Sequence, residues 1–387
     1  MAPPSSPRLL PTLADDTISE IFLRLPPDEP ACLVRATLLS KPWRRRLLEA
    51  TFLHKYRTFH GAPPLLGFHQ EERFPGDQIR RFIPTTATSP LSQPSFSDDS
   101  WAALDCRHGR VLIDTMYSDE MIVWNPITGI QHHLPPEPGE PCNHLTVAVL
   151  CAVDGCDHLN CHEGPFRVVF GAIADEEVVE ESLTWVSVYS SETGAWTEPT
   201  SIHLGPVRES NKMMGPSLLI DDALYFILED GHRILKYDLG GDALTVISNL
   251  PPLHAGNMFL VKADDGALGV ASVDDYSLHL WSWRTCTDGV AGWVKGRVIE
   301  LEMMISVGIG DPTTRVQVVG FAEVANVVFI SANNAGIFTV GLKSGLIRKV
   351  SEVANFQFIF PYESFYIPDH WLTEVAVLLM LGMTYWK

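Results

Sequence analysis

The sequence predicts an α plus all-β chain: a small N-terminal module of three helices, then a β-propeller of about six blades. Three observations carry this. Apolar residues recur at helical spacing between Asp15 and Leu53. Beyond about Trp101 helical periodicity almost vanishes, and short apolar runs alternate with turns containing Gly, Asn and Asp. Within that region one degenerate unit recurs five times: an apolar strand ending in an aromatic residue, then a tight turn carrying Gly.

Residues 1–10 read as a disordered start. In the first helix Thr17 and Glu20 have capping-box spacing, and Asp15 and Asp16 suit the positive end of the helix dipole. Ile18, Ile21, Phe22 and Leu25 then form one stripe at i, i+3, i+4 and i+7, and Pro26-Pro27 stops the run. Asp28 can cap a second helix, with Pro30 in its first turn and Leu33, Val34 and Leu38 apolar along it. Ser40 can cap a third, where Trp43 and Leu47 sit one turn apart. Phe52 and Leu53 extend the apolar set. Arg44, Arg45 and Arg46 spread around that third helix and form no single face, so it is not expected to read DNA.

Helices this short serve a partner better than a core of their own. Six large side chains, at about 1.5–3 kcal/mol each, offer roughly 10 kcal/mol gross on burial. Association costs on the order of 4–15 kcal/mol. A partner must therefore present a long apolar groove.

Residues 11–60 resemble an F-box. The matching positions are Leu13, Asp15, Asp16, Ile18, Glu20, Ile21, Leu23, Leu25, Pro26, Leu33, Trp43, Arg44, Leu47, Phe52 and Leu53. Two departures stand out. The opening Leu-Pro is Leu13-Ala14 here, and Val-Cys-Lys-x-Trp before the third helix is Leu39-Ser40-Lys41-Pro42-Trp43. The stretch from Phe59 to Phe68 is similar to the segment that follows the F-box in a large group of grass F-box proteins. The resemblance implies docking on a Skp-type adaptor, and through it on a cullin. Leu13, Ile18, Ile21, Phe22, Leu25, Pro26, Leu33, Leu38, Trp43 and Leu47 would make the contact.

Residues 61–100, rich in Pro, Ser, Thr and Asp, read as a connection that includes a candidate closing strand. The propeller is expected from 101 to 368. Ile122–Gly129 is the clearest repeat, followed by Val188–Gly194, Leu235–Gly241, Leu280–Trp283 with a turn ending at Gly289 or Gly292, and Phe338–Gly345. The aromatic positions 124, 189, 237, 281 and 338 lie 65, 48, 44 and 57 residues apart, which suits one four-stranded blade per copy with insertions. A sixth blade is expected from Arg80–Pro84 combined with Phe356–Tyr366. Trp124, Trp185, Trp281 and Trp283 read as blade core. The organisation resembles the F-box-associated propeller of plant proteins. Residues 369–387 form an atypical apolar tail. Its run from Val375 to Tyr385 is shorter than the ~20 residues a membrane helix needs.

The chain has 387 residues, a hydrophobic share of 46% and a mean hydropathy of +0.07, as a filled core requires. Net charge is −19. Residues 1–60 hold nine Lys/Arg against six Asp/Glu, a balance of +3, so the remainder carries −22. That argues against nucleic acid or an anionic membrane surface as partner. Seven cysteines without regular spacing, and an opening without an apolar signal core, predict a reduced cytoplasmic or nuclear setting.

The densest chemistry is Cys142, His144, Cys151, Cys156, His158, Cys161 and His162. Soft ligands this close can hold zinc, but the spacing matches no standard finger or ribbon. The expectation is a surface loop with no metal, and no cofactor elsewhere. Asp175–Glu181 lacks the alternating pattern of a calcium loop and reads as a solvated hairpin tip. Asp264-Asp265-Gly266 and Asp274-Asp275 read as turns. No nucleophile elbow, phosphate-cradling loop or triad is visible.

The resemblance to F-box proteins implies a non-enzymatic substrate-recognition subunit of an SCF-type ubiquitin ligase. Its helices would dock on the adaptor and its propeller would hold a target protein whose identity the loops do not disclose. The alternative is a propeller enzyme or carbohydrate-binding propeller with an incidental helical extension. Polar side chains converging on the propeller axis would favour it.

Overall fold

The computed structural model describes residues 15–72, 80–85, 91, 101–115, 120–138, 145–173, 183–204, 213–228, 233–248, 250–251, 258–274, 276–285, 289–301, 315–333, 335–352 and 356–366. Leu13, Cys142, His144, residues 175–181 and the tail from 369 lie outside them. Two compact units emerge. One comprises residues 1–62, 88–90 and 366–387; the other comprises 63–87 and 91–365.

Among the described residues the first unit contains four helices: α1 (Asp15–Leu23), α2 (Pro30–Leu39), α3 (Lys41–Leu47) and α4 (Ala50–His60). Three were expected. The fourth takes up Phe52 and Tyr56, one turn apart and both buried, and ends at Gly61 in the left-handed region, φ 73°. Helix α1 begins at Asp15, which leaves Thr17 inside the first turn rather than at the cap. For α2 the cap position is Glu29, one residue past Asp28, with Pro30 opening the helix. Ser40 does precede α3, although its side chain makes no capping hydrogen bond. Arg44, Arg45 and Arg46 fall in the last turn of α3, where cations suit the negative end of the helix dipole. The interior holds Phe22, Leu33, Val34, Leu47, Phe52 and Tyr56. Phe22 meets Trp43 edge-on at 5.2 Å, and the Tyr56 hydroxyl donates to the Leu25 carbonyl at 2.8 Å.

The second unit is a six-bladed propeller. Its chain starts in the blade that closes the ring, with β1 (Leu65–Glu72) and β2 (Arg80–Pro84). Blade one is β3 (Trp101–Arg107), β4 (Arg110–Thr115), β5 (Glu120–Trp124) and β6 (Gln131–His133). Blade two is β7 (Leu145–Cys151), β8 (Phe166–Ile173) and β9 (Leu183–Ser190). Its outer strand is split into β10 (Ala195–Trp196) and β11 (Thr200–His203), both paired with β9. Blade three is β12 (Met213–Ile220), β13 (Ala223–Leu228), β14 (Arg233–Asp238) and β15 (Ala243–Ser248). Blade four is β16 (Met258–Lys262), β17 (Leu268–Asp274), β18 (Ser277–Thr285) and β19 (Ala291–Glu300). Blade five is β20 (Val316–Ala322), β21 (Val327–Ala332), β22 (Gly336–Gly341) and β23 (Ile347–Ser351). The last strand among the described residues, β24 (Phe356–Glu363), completes the sixth blade in the order β2-β1-β24.

All five aromatic–turn–Gly repeats occupy one place, the turn from the third to the fourth strand of a blade. Three close with the same bond: the Gly129 N–H donates to the Asn125 carbonyl, Gly194 to Ser190 and Gly345 to Gly341, each at 2.8 Å. These glycines have φ of 75°, 68° and 68°, a region that side chains with a Cβ rarely adopt. In the third copy the left-handed residue is Asp242, φ 47°, bonded to the Tyr237 hydroxyl. The Asp264–Gly266 turn lies between β16 and β17, as expected.

The core lies between neighbouring blades. Leu112 and Val123 of blade one pack with Val147 and Phe170 of blade two. Val169 and Val186 pack with Leu224 and Leu235, and Ile227 with Phe259 and Val270. Trp124 and Trp185 are buried, whereas Trp281 and Trp283 are half-buried, Trp283 edge-on to Trp293 at 5.2 Å. Phe68, Val319, Phe329 and Ile359 seal blade five against the closing blade.

Closure departs from expectation in one respect. Arg80–Pro84 and Phe356–Glu363 share a sheet but do not pair. Strand β1 stands between them, registered Phe68↔Ile83 on one side and His69↔Phe360 on the other. An early segment thus bonds to the last strand, which removes the sheet edge a linear array would expose.

Candidate functional site

In the helical unit, burial sorts the nine described residues of the ten proposed for docking; Leu13 lies outside them. Ile21 is 48% exposed and Leu38 43%, and Pro26 is also exposed. Ile18, Leu25 and Trp43 are half-buried. Phe22, Leu33 and Leu47 are buried within 5% of full enclosure and act as interior packing, because helical spacing alone cannot tell the inner from the outer half of a stripe. Two residues outside the expected set are strongly exposed: Leu39 at 74% and Phe59 at 55%.

In the propeller, a polar network joins inner strands of four blades. Arg107, at the end of β3, pairs with Asp105 at 2.5 Å and with Glu323 at 2.6 Å. It also donates to the Ser217 hydroxyl at 3.0 Å and to the Ser217 carbonyl. The second Asp105 oxygen accepts the Val149 N–H at 2.8 Å, and Glu323 accepts the Leu219 N–H at 3.2 Å. Burial pushes the Asp105 carboxyl above its ordinary range, against the pull of Arg107. Burial also opposes the Arg107 cation, but Asp105 and Glu323 outweigh it and hold the guanidinium charged. Nearby, Glu363 accepts N–H groups from Val324 and Ala325 at 3.1 and 2.7 Å. Burial pushes Glu363 up to about 7 against those two bonds. Sequence reasoning missed this set. Its only local trace is an Asp and an Arg two apart on one strand.

The polar groups do converge on the inner strands, but they satisfy one another. Arg107 spends its donors on Asp105, Glu323 and Ser217. A structural plug fits this arrangement better than a receptive pocket, since a buried charge stripped of its partners is costly.

In blade two, four candidate ligands meet. The Cys151 and Cys156 sulfurs, a His158 ring nitrogen and the Cys161 sulfur all lie within 4.8 Å of one another. Cys161 is buried, Cys151 and Cys156 are half-buried, and His158 is exposed. His162 is not one of the four, and its carbonyl accepts from the Asn125 amide at 3.4 Å.

Against this geometry, the family model described as F-box protein AT5G49610-like, beta-propeller matches residues 102–366, which is 265 of the 387 residues. The chain belongs to that family. The match runs from β3 to just past β24, so it contains the inner strand of every blade of this F-box-protein propeller and leaves out the helices, β1 and β2. No curated protein matches the chain. Among solved structures, the WD40 domain of SCAP from fission yeast is similar at 10% identity and a TM-score of 0.37. The alignment covers 76% of this chain and 55% of that chain, little more than half its length. A Bacteroides thetaiotaomicron protein of unknown function is 13% identical, with 79% and 82% covered and a TM-score of 0.40. A chain of a nidogen/laminin complex is 10% identical, with 77% and 98% covered and a TM-score of 0.43. The six-blade assignment rests on the strand pairing itself.

Proposed function

We propose that this chain is the non-catalytic substrate-recognition subunit of an SCF-type ubiquitin ligase, working in the cytoplasm or nucleus. The observation that carries the reading is that its propeller belongs to a family of F-box proteins, while four short helices precede that propeller. The helices would act as the F-box. Ile21, Leu38 and Leu39 offer a Skp-type adaptor exposed apolar side chains around an interior filled by Phe22, Leu33 and Leu47. The propeller would hold a target protein, and the ligase would supply the chemistry. The chain's contribution is proximity, a raised effective concentration of target lysines. The mutual satisfaction of Asp105, Arg107 and Glu323 weighs against the enzyme alternative.

The test is co-purification with a Skp-type adaptor. Ile21→Asp should abolish it, because the substitution drives a charge into a desolvated groove at a cost of several kcal/mol. Ile21 is 48% exposed, so the module's interior stays intact. Arg45→Ala should change binding by about 1 kcal/mol or less. Retention of the adaptor by Ile21→Asp at the wild-type level would defeat the proposal.

A further inference from the structure

The geometry points to a zinc site of three cysteines and one histidine, Cys151, Cys156, His158 and Cys161, which fastens the long turn of blade two. In a tetrahedral site with Zn–S bonds of about 2.3 Å, neighbouring ligand atoms sit about 3.8 Å apart. Here the four donor atoms lie within 4.8 Å of one another, and the Cys161 sulfur is already 3.6 Å from His158 Nδ1. Contraction by about an ångström or less completes the tetrahedron.

The turn itself shows why a fastening is needed. The equivalent turn spans residues 108–109, 221–222, 263–267 and 323–326 in blades one, three, four and five. In blade two it spans 152–165, fourteen residues without a strand or helix, far above the usual 2–5 of a hairpin. Few bonds hold it. Ala152 donates to the Pro165 carbonyl at 3.0 Å, and Gly164 to Cys161 at 2.9 Å. Two left-handed residues, Gly155 at φ 64° and His158 at φ 56°, turn the chain back on itself so that the donors converge.

The surroundings suit thiolates bound to a cation. The Val153 N–H points at the Cys151 sulfur and the His158 N–H at the Cys156 sulfur, each at 3.4 Å; such bonds stabilise metal-bound sulfur. His108 Nδ1 accepts the Cys151 N–H at 3.0 Å, and its ring stacks on His158 at 3.9 Å, which fixes two ligands from outside. Three thiolates around one divalent ion leave a net charge of −1. Arg110, 2% exposed, lies beside the loop and donates to the carbonyls of Cys161 and Gly164. Among the described residues no carboxylate pairs with Arg110, and its Nη1 lacks a hydrogen-bond partner. A buried cation without a carboxylate is what an anionic metal cluster requires. Three soft sulfurs and one imidazole select zinc over calcium, magnesium or manganese. The loop that spacing alone reads as metal-free thus becomes a metal site once the four donors are seen together.

The full chain, purified in reducing buffer without chelator, should carry about one zinc per chain by elemental analysis. Cys156→Ser with Cys161→Ser should lower this at least tenfold, while Cys106→Ser, outside the cluster, should leave it unchanged. In case the double variant misfolds, cobalt added to the wild-type apoprotein supplies a second reading. It should give thiolate-to-cobalt charge transfer and the visible bands of tetrahedral cobalt, both lost on adding zinc. Wild-type protein that is folded, free of zinc and silent with cobalt would overturn the assignment. So would zinc retained by the double variant, or a disulfide between any two of the three cysteines.

Discussion

Replacing His69 with Phe should make the protein more acid-resistant by about 2 kcal/mol at pH 5. His69 lies on β1, is 1% exposed, and faces the rings of Phe82, Trp101 and Trp124 at 5.1, 5.9 and 6.2 Å. Neither ring nitrogen has a hydrogen-bond partner among the described residues. Burial pushes the imidazole down to about 3. In an unfolded chain a histidine titrates near about 6.5. Below that pH the unfolded chain therefore takes up a proton that the folded protein refuses. Stability is fully present above about pH 6.5 and falls by about 1.4 kcal/mol per unit as the pH drops toward 3. At pH 5 the loss is about 1.5 units, or roughly 2 kcal/mol. Phenylalanine keeps the ring and has no proton to accept. Urea unfolding of both proteins at pH 7.5 and pH 5 reads the effect as a difference of differences. If the gap between variant and wild type changes by less than about 0.5 kcal/mol across that range, the buried, neutral histidine is refuted.

Arg107→Met should cost about 3–5 kcal/mol, because it leaves Asp105 buried without its cation. Asp105 is an acid already raised by burial, so its ionised form destabilises most above its folded pKa and is relieved as pH falls through it. The variant's deficit should accordingly be larger at pH 8 than at pH 5, measured by denaturant unfolding; a pH-independent deficit would count against an uncompensated carboxylate. For closure, a shortened chain starting at Ala62 keeps β1 and β2, whereas one starting at Ser100 loses both and bares the edge of β24. The first should melt cooperatively and the second should aggregate; equal solubility and melting would contradict the closing role of β1.

Features written in local chemistry were legible. The third-to-fourth-strand turns need a left-handed residue, and Gly129, Gly194 and Gly345 announce it in the first, second and fifth repeats. The stops at Pro26-Pro27 and the start at Pro30 likewise mark the ends of α1 and α2. Features that depend on distant partners were not. Strand β1 has no clean alternation, since Leu66, Gly67, Phe68 and His69 are buried on both faces, and its partner β24 lies almost the whole propeller away in sequence. Helix α4 follows α3 with neither proline nor glycine to mark the break, so Phe52 and Leu53 read as an extension of the apolar set rather than as a new element. The inner and outer halves of the apolar stripe differ only in burial, which separated Phe22 from Ile21 although they are neighbours in sequence. The cysteine cluster has an irregular spacing, and its donor atoms come within 4.8 Å of one another only where the chain turns back at Gly155 and His158.

The central claim is that the helices, and not the propeller, recruit a ubiquitin-ligase adaptor. Calorimetric titration of a purified Skp-type adaptor into the full chain, and separately into the shortened chain starting at Ala62, tests it directly. Saturable one-to-one binding is expected from the full chain, and no heat of binding from the propeller alone. Equal binding by both proteins, or no binding by a folded full chain, would contradict it.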